Sequence, residues 1–187
     1  HLLADVLSAA AVARAAGAPA GAVAGAVSSF RGLEHAMEVV ADIGGVRYIN
    51  DSKATNVDAA RHAIETFGPG LVVIMGGRFK GGDLARLRPA LAARRATVVA
   101  IGEAAPLVQD ALDGAATVRL AGSMADAVRT AADAAAPGGS VLLAPACASF
   151  DMFEDYAARG RAFKAEVEAL RREGERRKEE RRPRREP

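Results

Sequence analysis

Apolar and polar residues alternate in blocks over most of the chain, and the blocks have the lengths of strands and helices. Short apolar runs predict strands at residues 71–75, 97–101, 116–120 and 140–143. Amphipathic segments predict helices at 57–67, 84–94, 104–112, 124–135 and from 151 to about 170. Strands that are apolar throughout are typical of a parallel sheet covered by helices on both faces.

The first part of the chain has a different pattern. Residues 3–27 are rich in alanine and are interrupted at Gly17-Ala18-Pro19, which predicts a helix, a turn and a second short helix. Residues 37–41 and 46–49 flank a turn with two glycines, which predicts a β-hairpin. The fold class is therefore predicted to be α/β: a Rossmann-like three-layer domain with a mostly parallel six-stranded sheet, preceded by a short helical segment.

Composition and charge exclude several classes of protein. Half of the 187 residues are hydrophobic and the net charge is +2, which excludes a disordered chain. No apolar stretch reaches the about 18 residues of a membrane span, and a single cysteine, Cys147, fits the reducing cytoplasm. Residues 171–187 carry nine basic residues and five glutamates, so the rest of the chain sums to −2. That charge gives no electrostatic reason to bind nucleic acid.

Three predicted loops carry polar groups suited to an anion. They are residues 50–56, 76–83 and 144–151, and each follows a predicted strand. Ligands of open α/β sheets bind outside the carboxyl ends of the strands, where helix N-termini attract anions. Because these ends share one edge of a parallel sheet, we expect all three loops to meet there.

The individual residues in these loops also have ordinary structural explanations. Thr55 and Ser149 precede predicted helices and are suitable N-caps. Lys53 and Lys80 are of the type that is usually solvated, and the glycines beside Lys80 are typical of a tight turn. Cys147 is best explained as a buried apolar residue, since no local signature links it to an activating histidine. The expected convergence of the loops is what favours a binding site.

The motifs in these loops resemble the C-terminal domain of the Mur ligases, most closely the members that add D-glutamate. They read Asn-Asp-Ser-Lys-Ala-Thr-Asn at 50–56, Gly-Gly-x-x-Lys-Gly at 76–81 and Pro-Ala-Cys-Ala-Ser-x-Asp-x-Phe at 145–153. Two further motifs, at 30–38 and 156–163, support the resemblance, which runs from residue 1 to about 170. It implies a cytoplasmic ATP-dependent ligase of peptidoglycan precursor synthesis, which we expect to be a monomer.

The resemblance assigns a D-glutamate site. Mur ligases of this type phosphorylate UDP-N-acetylmuramoyl-L-alanine with ATP, and the amine of D-glutamate then attacks the acyl phosphate to form an amide. The resemblance implies that Thr55 and Lys80 hold one carboxylate of D-glutamate. It implies that Ser149, with Phe150 and Tyr156, holds the other.

The resemblance also assigns residues to the nucleotide side. It implies that Lys53 is catalytic and lies between the glutamate and the transferring phosphate, where its charge stabilises the transition state. Asp51 and Ser52 are expected to bind ATP, Asp51 through the ribose hydroxyls. The ligands of Mg are expected in upstream domains, so no metal site is expected in this chain.

Three positions depart from the family's pattern, all on the nucleotide side. The family has asparagine where this chain has Leu2 and Asp5, and arginine where it has Ala36. These departures remove expected contacts with ATP and leave the D-glutamate pocket unchanged.

The resemblance divides the chain into three parts. Residues 1–33 are expected to end a central ATPase domain and form a linker, 34–170 to form the amino-acid-binding domain, and 171–187 to be a disordered tail. The isolated chain is expected to be inactive without its N-terminal and central domains. Two alternatives stay open: a Mur or folylpolyglutamate-type ligase for another amino acid, and a non-catalytic module that docks to a split ligase.

Overall fold

The computed structural model describes residues 2–180, which divide into two compact units between Leu33 and Glu34. The first unit contains helices α1 (Leu2–Ala15) and α2 (Ala20–Ser29). A turn at Gly17 separates them, as the alanine-rich pattern predicted. None of the residues of α2 is buried, and Leu7 on α1 is also exposed. This unit therefore presents apolar side chains on its surface.

The second unit is built on a six-stranded sheet with the strand order β1-β2-β6-β3-β4-β5. The strands are β1 (Glu38–Ile43), β2 (Val46–Asn50), β3 (Leu71–Gly76), β4 (Thr97–Ile101), β5 (Thr117–Leu120) and β6 (Ser140–Leu143). Strands β1 and β2 form the predicted antiparallel hairpin, and every other neighbouring pair is parallel. The predicted mostly parallel sheet is confirmed.

Helices cover both faces of this sheet. Helix α3 (Val57–Glu65), a 3-10 turn (Leu84–Leu87) that continues into α4 (Arg88–Ala93), and α5 (Ala105–Leu112) pack on one face. Helices α6 (Met124–Ala134) and α7 (Tyr156–Glu180) pack on the other. Alternate residues of β3 enter the two cores, which is why the whole strand is apolar. The three layers agree with the predicted fold class.

The last helix differs from its predicted bounds at both ends. It begins at Tyr156, where Asp155 Oδ1 accepts a hydrogen bond from Ala158 N at 2.6 Å. It continues to Glu180, so residues 171–180, predicted as part of a disordered tail, are helical. Ion pairs one turn apart, such as Arg171 to Glu175 at 2.7 Å, support this extension. Residues 181–187 lie outside the described residues.

The sequence predicts no membrane-spanning stretch. Among residues 2–180, no helix combines the length and the apolar character that crossing a membrane requires.

Candidate functional site

The three polar loops follow strands that are direct neighbours in the sheet. Strand β6 lies between β2 and β3, and all three run parallel. Their carboxyl ends therefore emerge side by side, and the loop after β6 lies between the other two. This placement follows from the strand order, which the linear sequence does not state.

Backbone hydrogen bonds join the central loop to both of its neighbours. Ala146 N donates to Ala54 O at 3.0 Å, which connects it to the loop after β2. Arg78 and Ala148 exchange two hydrogen bonds of 2.9 Å each, which connects it to the loop after β3. The three loops thus meet as one hydrogen-bonded surface, which we call the loop junction.

Two glycines allow the loop after β3 to approach neighbouring backbone closely, and Gly77 does so at the connection to the loop after β6. Gly76 and Gly77 have φ angles of +122° and +123°, a region that side chains rarely adopt. A Cβ on Gly76 would clash with the carbonyl of Ile101, and one on Gly77 with the carbonyl of Ala148. These glycines therefore do more than form a tight turn, because they allow two neighbouring segments to approach closely.

A buried arginine in the last helix ties the loop junction together. Arg159 is 1% exposed. Its guanidinium donates to Ser52 Oγ at 3.0 Å, to Ser52 O at 3.0 Å and to Cys147 O at 3.1 Å. Burial lowers the pKa of Arg159 to about 10. Sequence reasoning included this residue in a motif but missed its role, because a single arginine in a polar helix has the pattern of a solvated side chain.

Ser52, which is expected to bind ATP, has hydrogen-bond partners within the protein. Ser52 is fully buried, and its hydroxyl donates to Tyr156 O at 2.7 Å while accepting from Arg159. Both of these partners belong to the protein itself. The ATP contact expected of Ser52 stays a prediction, and the hydrogen bonds that its hydroxyl makes help to hold the loop junction in place.

Cys147 has the environment expected of a buried apolar residue. It is fully buried, and burial raises the pKa of its thiol to about 11. At neutral pH it is a protonated thiol, which is a poor nucleophile.

Four of the predicted site residues have side chains that form no hydrogen bond or ion pair among the described residues. Lys53 and Lys80 are exposed, Thr55 is half-buried and Ser149 is buried. None of the four side chains makes a hydrogen bond or ion pair within residues 2–180. The charge of Lys80 acts on the thiol of Cys147, which lies two positions before Ser149. The loop junction thus carries two ammonium groups and two hydroxyls that are not used in hydrogen bonds or ion pairs within the described residues.

The N-cap explanation does not apply to Thr55 or Ser149. Asn56 is the N-cap of α3, and its Oδ1 accepts from Ala59 N at 2.8 Å. The N-terminus of α7 is capped by Asp155, six positions after Ser149. Neither hydroxyl is therefore needed to cap the N-terminus of a helix.

The two aromatic residues of the predicted site are exposed. Phe150 is 63% exposed and Tyr156 is 40% exposed. The ring of Tyr156 meets the ring of His35 edge to face, with centroids 6.3 Å apart.

Asp51 is a buried carboxylate beside Lys53. It is 8% exposed, and its Oδ1 accepts a hydrogen bond from Met37 N at 3.1 Å. Burial raises the pKa of Asp51 to about 6, against the opposing effects of that hydrogen bond and of the charge of Lys53. Carboxylates whose pKa is strongly shifted by burial and a neighbouring charge are concentrated at functional sites.

Comparison with known proteins identifies the family. Residues 36–147, more than half of the chain, match the family described as Mur ligase, glutamate ligase domain. The chain belongs to this family. It is 52% identical over 164 residues to the UDP-N-acetylmuramoylalanine--D-glutamate ligase of Acidobacterium capsulatum, covering 88% of this chain and 36% of that enzyme. It is 47% identical over 170 residues to the same-named enzyme of Chlorobaculum parvum, covering 91% of this chain and 36% of that enzyme.

Solved structures share the fold of this Mur ligase domain. Thermotoga maritima UDP-N-acetylmuramate-alanine ligase MurC superposes with a TM-score of 0.66 at 16% identity, over 91% of this chain and 38% of that one. E. coli FolC in complex with DHPP and ADP superposes with a TM-score of 0.64 at 20% identity, over 89% of this chain and 39% of that one. The chain thus spans little more than a third of the length of its relatives.

The structure describes the side chains of two of the three positions that depart from the Mur ligase pattern. Asp5 is exposed on α1, and Ala36 is in the turn that begins the second unit. The side chain of Leu2 lies outside the described residues.

One group in the described part of this Mur ligase domain has the composition of a metal site. It consists of Glu34, His35 and Glu38. Lys164 Nζ lies 3.0 Å from Glu34 Oε1 and 2.6 Å from Glu38 Oε1, so an ammonium already neutralises these carboxylates. This group therefore does not fit a magnesium ion.

Proposed function

We propose that this chain is the D-glutamate-binding C-terminal part of a UDP-N-acetylmuramoylalanine--D-glutamate ligase. One observation carries the proposal. The loop junction presents Lys53, Thr55, Lys80 and Ser149, and none of these side chains forms a hydrogen bond or ion pair within the described residues. The names of the most similar relatives, at 52% and 47% identity, support the choice of D-glutamate as the amino acid.

The chemistry of D-glutamate suits this set of side chains. The amino acid carries two carboxylates, and each is best held by a cation or by several hydrogen-bond donors. Thr55 and Lys80 hold one carboxylate. Ser149, with the backbone near Phe150 and with Tyr156, holds the other at the start of the segment that leads into α7.

Lys53 performs the catalytic role in this proposal. It lies between the bound D-glutamate and the transferring phosphate, where its ammonium offsets the negative charge that develops as the phosphoryl group is displaced. Asp51 accepts hydrogen bonds from the ribose hydroxyls of ATP. ATP with Mg supplies the phosphoryl group that activates the acceptor carboxylate, and the Mg ligands come from outside this chain.

The first unit fits the end of an adjoining ATPase domain. Its exposed apolar side chains, among them Leu7 and Val12, need a partner surface. The relatives are almost three times as long as the matched region, which provides for such a domain. We propose that the whole enzyme is a cytoplasmic monomer, and we expect residues 1–187 alone to release no phosphate from ATP. Substrate-dependent phosphate release by this chain would contradict that expectation.

A titration of the 187-residue chain with D-glutamate, L-glutamate and meso-diaminopimelate, followed by NMR, tests the assignment. We expect D-glutamate alone to shift the amides of the loop junction. Lys80→Met, Thr55→Val and Ser149→Ala should each weaken the binding of D-glutamate about tenfold or more, the cost of a lost charge-assisted hydrogen bond.

Matched controls lie elsewhere in the same sheet. Arg119→Met and Thr117→Val change exposed residues of β5, and Ser140→Ala changes the opposite end of β6. These three variants should bind D-glutamate as the wild type does. A preference for L-glutamate would instead favour a folylpolyglutamate-type ligase, and meso-diaminopimelate binding would favour another Mur ligase.

A further inference from the structure

The turn that begins the second unit is held by one carboxylate with three donors. Glu38 Oε1 accepts from Lys164 Nζ at 2.6 Å. Glu38 Oε2 accepts from His35 N at 3.0 Å and from Asn50 Nδ2 at 3.1 Å. Burial acts to raise the pKa of Glu38, but the hydrogen bond from Lys164 and the other donors lower it overall. The carboxylate therefore stays ionised and links α7, the turn and β2.

His35 is fixed in a single orientation within this arrangement. Asn50 Oδ1 accepts from Ser52 N at 3.2 Å, so its NH2 group faces His35 Nδ1 at 2.9 Å and the ring nitrogen is the acceptor. A Cβ at Gly160 of α7 would clash with the same ring, which explains a glycine inside this helix. The backbone of His35 has a φ of +63°, a conformation that persists only where surrounding contacts enforce it.

The carbonyl of His35 connects this turn to the loop junction. It accepts a hydrogen bond from Lys53 N at 3.1 Å. The side chain of Lys53 forms no hydrogen bond or ion pair with the described residues, so its position depends mainly on the backbone to which it is attached. The contacts form a continuous series from Lys164 through Glu38 and His35 to Lys53.

We propose that Glu38 and Lys164 are positioning residues for Lys53. We call their ion pair the Lys164–Glu38 clamp. It fixes the His35 turn, and the turn fixes the backbone of Lys53. The inference rests on the proposed function, in which the ammonium of Lys53 must meet a transferring phosphate, and a displacement of about 1 Å there is costly to catalysis.

Amide hydrogen exchange of the 187-residue chain, measured by NMR, tests the clamp directly. Lys164→Met removes the ammonium and retains an apolar stem of similar length. We expect the exchange of the Lys53 amide to accelerate about tenfold, the effect of losing a charge-assisted hydrogen bond. The amides of Asp51 and Ala146 donate to Leu143 O and Ala54 O, outside the clamp, and should change less than about twofold.

Companion variants separate positioning from general stability. Lys164→Arg retains the cation and should restore slow exchange at Lys53, whereas Glu38→Gln should accelerate it as Lys164→Met does. Arg161→Met alters an exposed residue of the same helix and should have no effect. Equal exchange at Lys53 in the wild type and Lys164→Met, or equal acceleration of all three amides, would overturn the proposal.

The two proposals fail in distinguishable ways. If the wild-type chain does not bind D-glutamate while Lys164→Met selectively accelerates exchange at Lys53, the clamp stands and the proposed function falls. If D-glutamate binds and exchange at Lys53 is unchanged in both Lys164→Met and Glu38→Gln, the proposed function stands and the clamp falls.

Discussion

Arg159 and Ser52, 107 positions apart in the sequence, are joined by two hydrogen bonds of 3.0 Å, one to the hydroxyl and one to the carbonyl of the serine. The third bond of the guanidinium goes to Cys147 O. All three acceptors are neutral, and the charge of Asp151 acts on the guanidinium from nearby. A buried cation is expensive unless its donors are satisfied. Its retention here is explained by the two loops that it holds together.

Replacing Arg159 with methionine should destabilise the protein strongly. The change leaves the carbonyls of Ser52 and Cys147 buried without donors, so we expect the free energy of unfolding to fall by roughly 2 to 4 kcal/mol. Urea denaturation followed by circular dichroism measures this. Arg161→Met, two positions away on the exposed side of α7, is the control and should change stability by less than about 0.5 kcal/mol. Equal stability of the two variants would show that Arg159 does not hold the junction.

Gly77→Ala should disrupt the connection between the loops after β3 and β6. An alanine at a φ of +123° is strained, and its Cβ would clash with the carbonyl of Ala148. We expect a loss of more than about 2 kcal/mol in the free energy of unfolding, measured by thermal denaturation. Gly122→Ala is the control, because nothing lies within 4 Å of a Cβ at that position. A similar melting temperature for both variants would contradict the role assigned to Gly77.

The strands were predictable because a strand buried on both faces must be apolar at every position. All residues of β3 are buried, and its predicted bounds differ from the observed ones by one residue. The helix predicted at 84–94 was predicted less well, since it begins as a 3-10 turn capped by Asp83. Pro89 fits only the first turn of an α-helix, which is why α4 starts at Arg88.

The candidate site was predictable in its loops but not in its internal support. Lys53 and Lys80 follow strands whose ends must share an edge, and this can be inferred from a parallel sheet. The burial of Arg159 and Ser52 depends on a contact between residues 107 positions apart, which no local pattern encodes. Thr55 and Asn56 are both good capping residues, and only the backbone shows that Asn56 caps α3.

The neighbouring residues Thr55 and Asn56 should respond to mutation in opposite ways. Asn56→Ala removes the cap of α3 and should lower the free energy of unfolding by about 1 kcal/mol without changing D-glutamate affinity. Thr55→Val should leave stability nearly unchanged and weaken binding. Urea denaturation and an NMR titration of both variants measure these effects. If Thr55→Val is the less stable variant and both bind D-glutamate equally, then Thr55 is structural.

The stability of the protein should depend on the ionisation of Asp51. Its pKa is raised from 3.8 to about 6 by burial, so the folded protein binds this proton more tightly than the unfolded chain does. Its contribution to stability is therefore present below about pH 4 and is lost as the pH rises through about 6. Asp51→Asn keeps an oxygen for Met37 N and does not titrate. Between pH 4 and pH 8 the wild type should lose up to about 3 kcal/mol in the free energy of unfolding that Asp51→Asn does not lose. Asp110→Asn, at an exposed position on α5, is the control and should follow the pH dependence of the wild type. Urea denaturation at a series of pH values measures this difference. Parallel profiles for the wild type and Asp51→Asn would show that ionisation of Asp51 does not lower the stability of the folded protein.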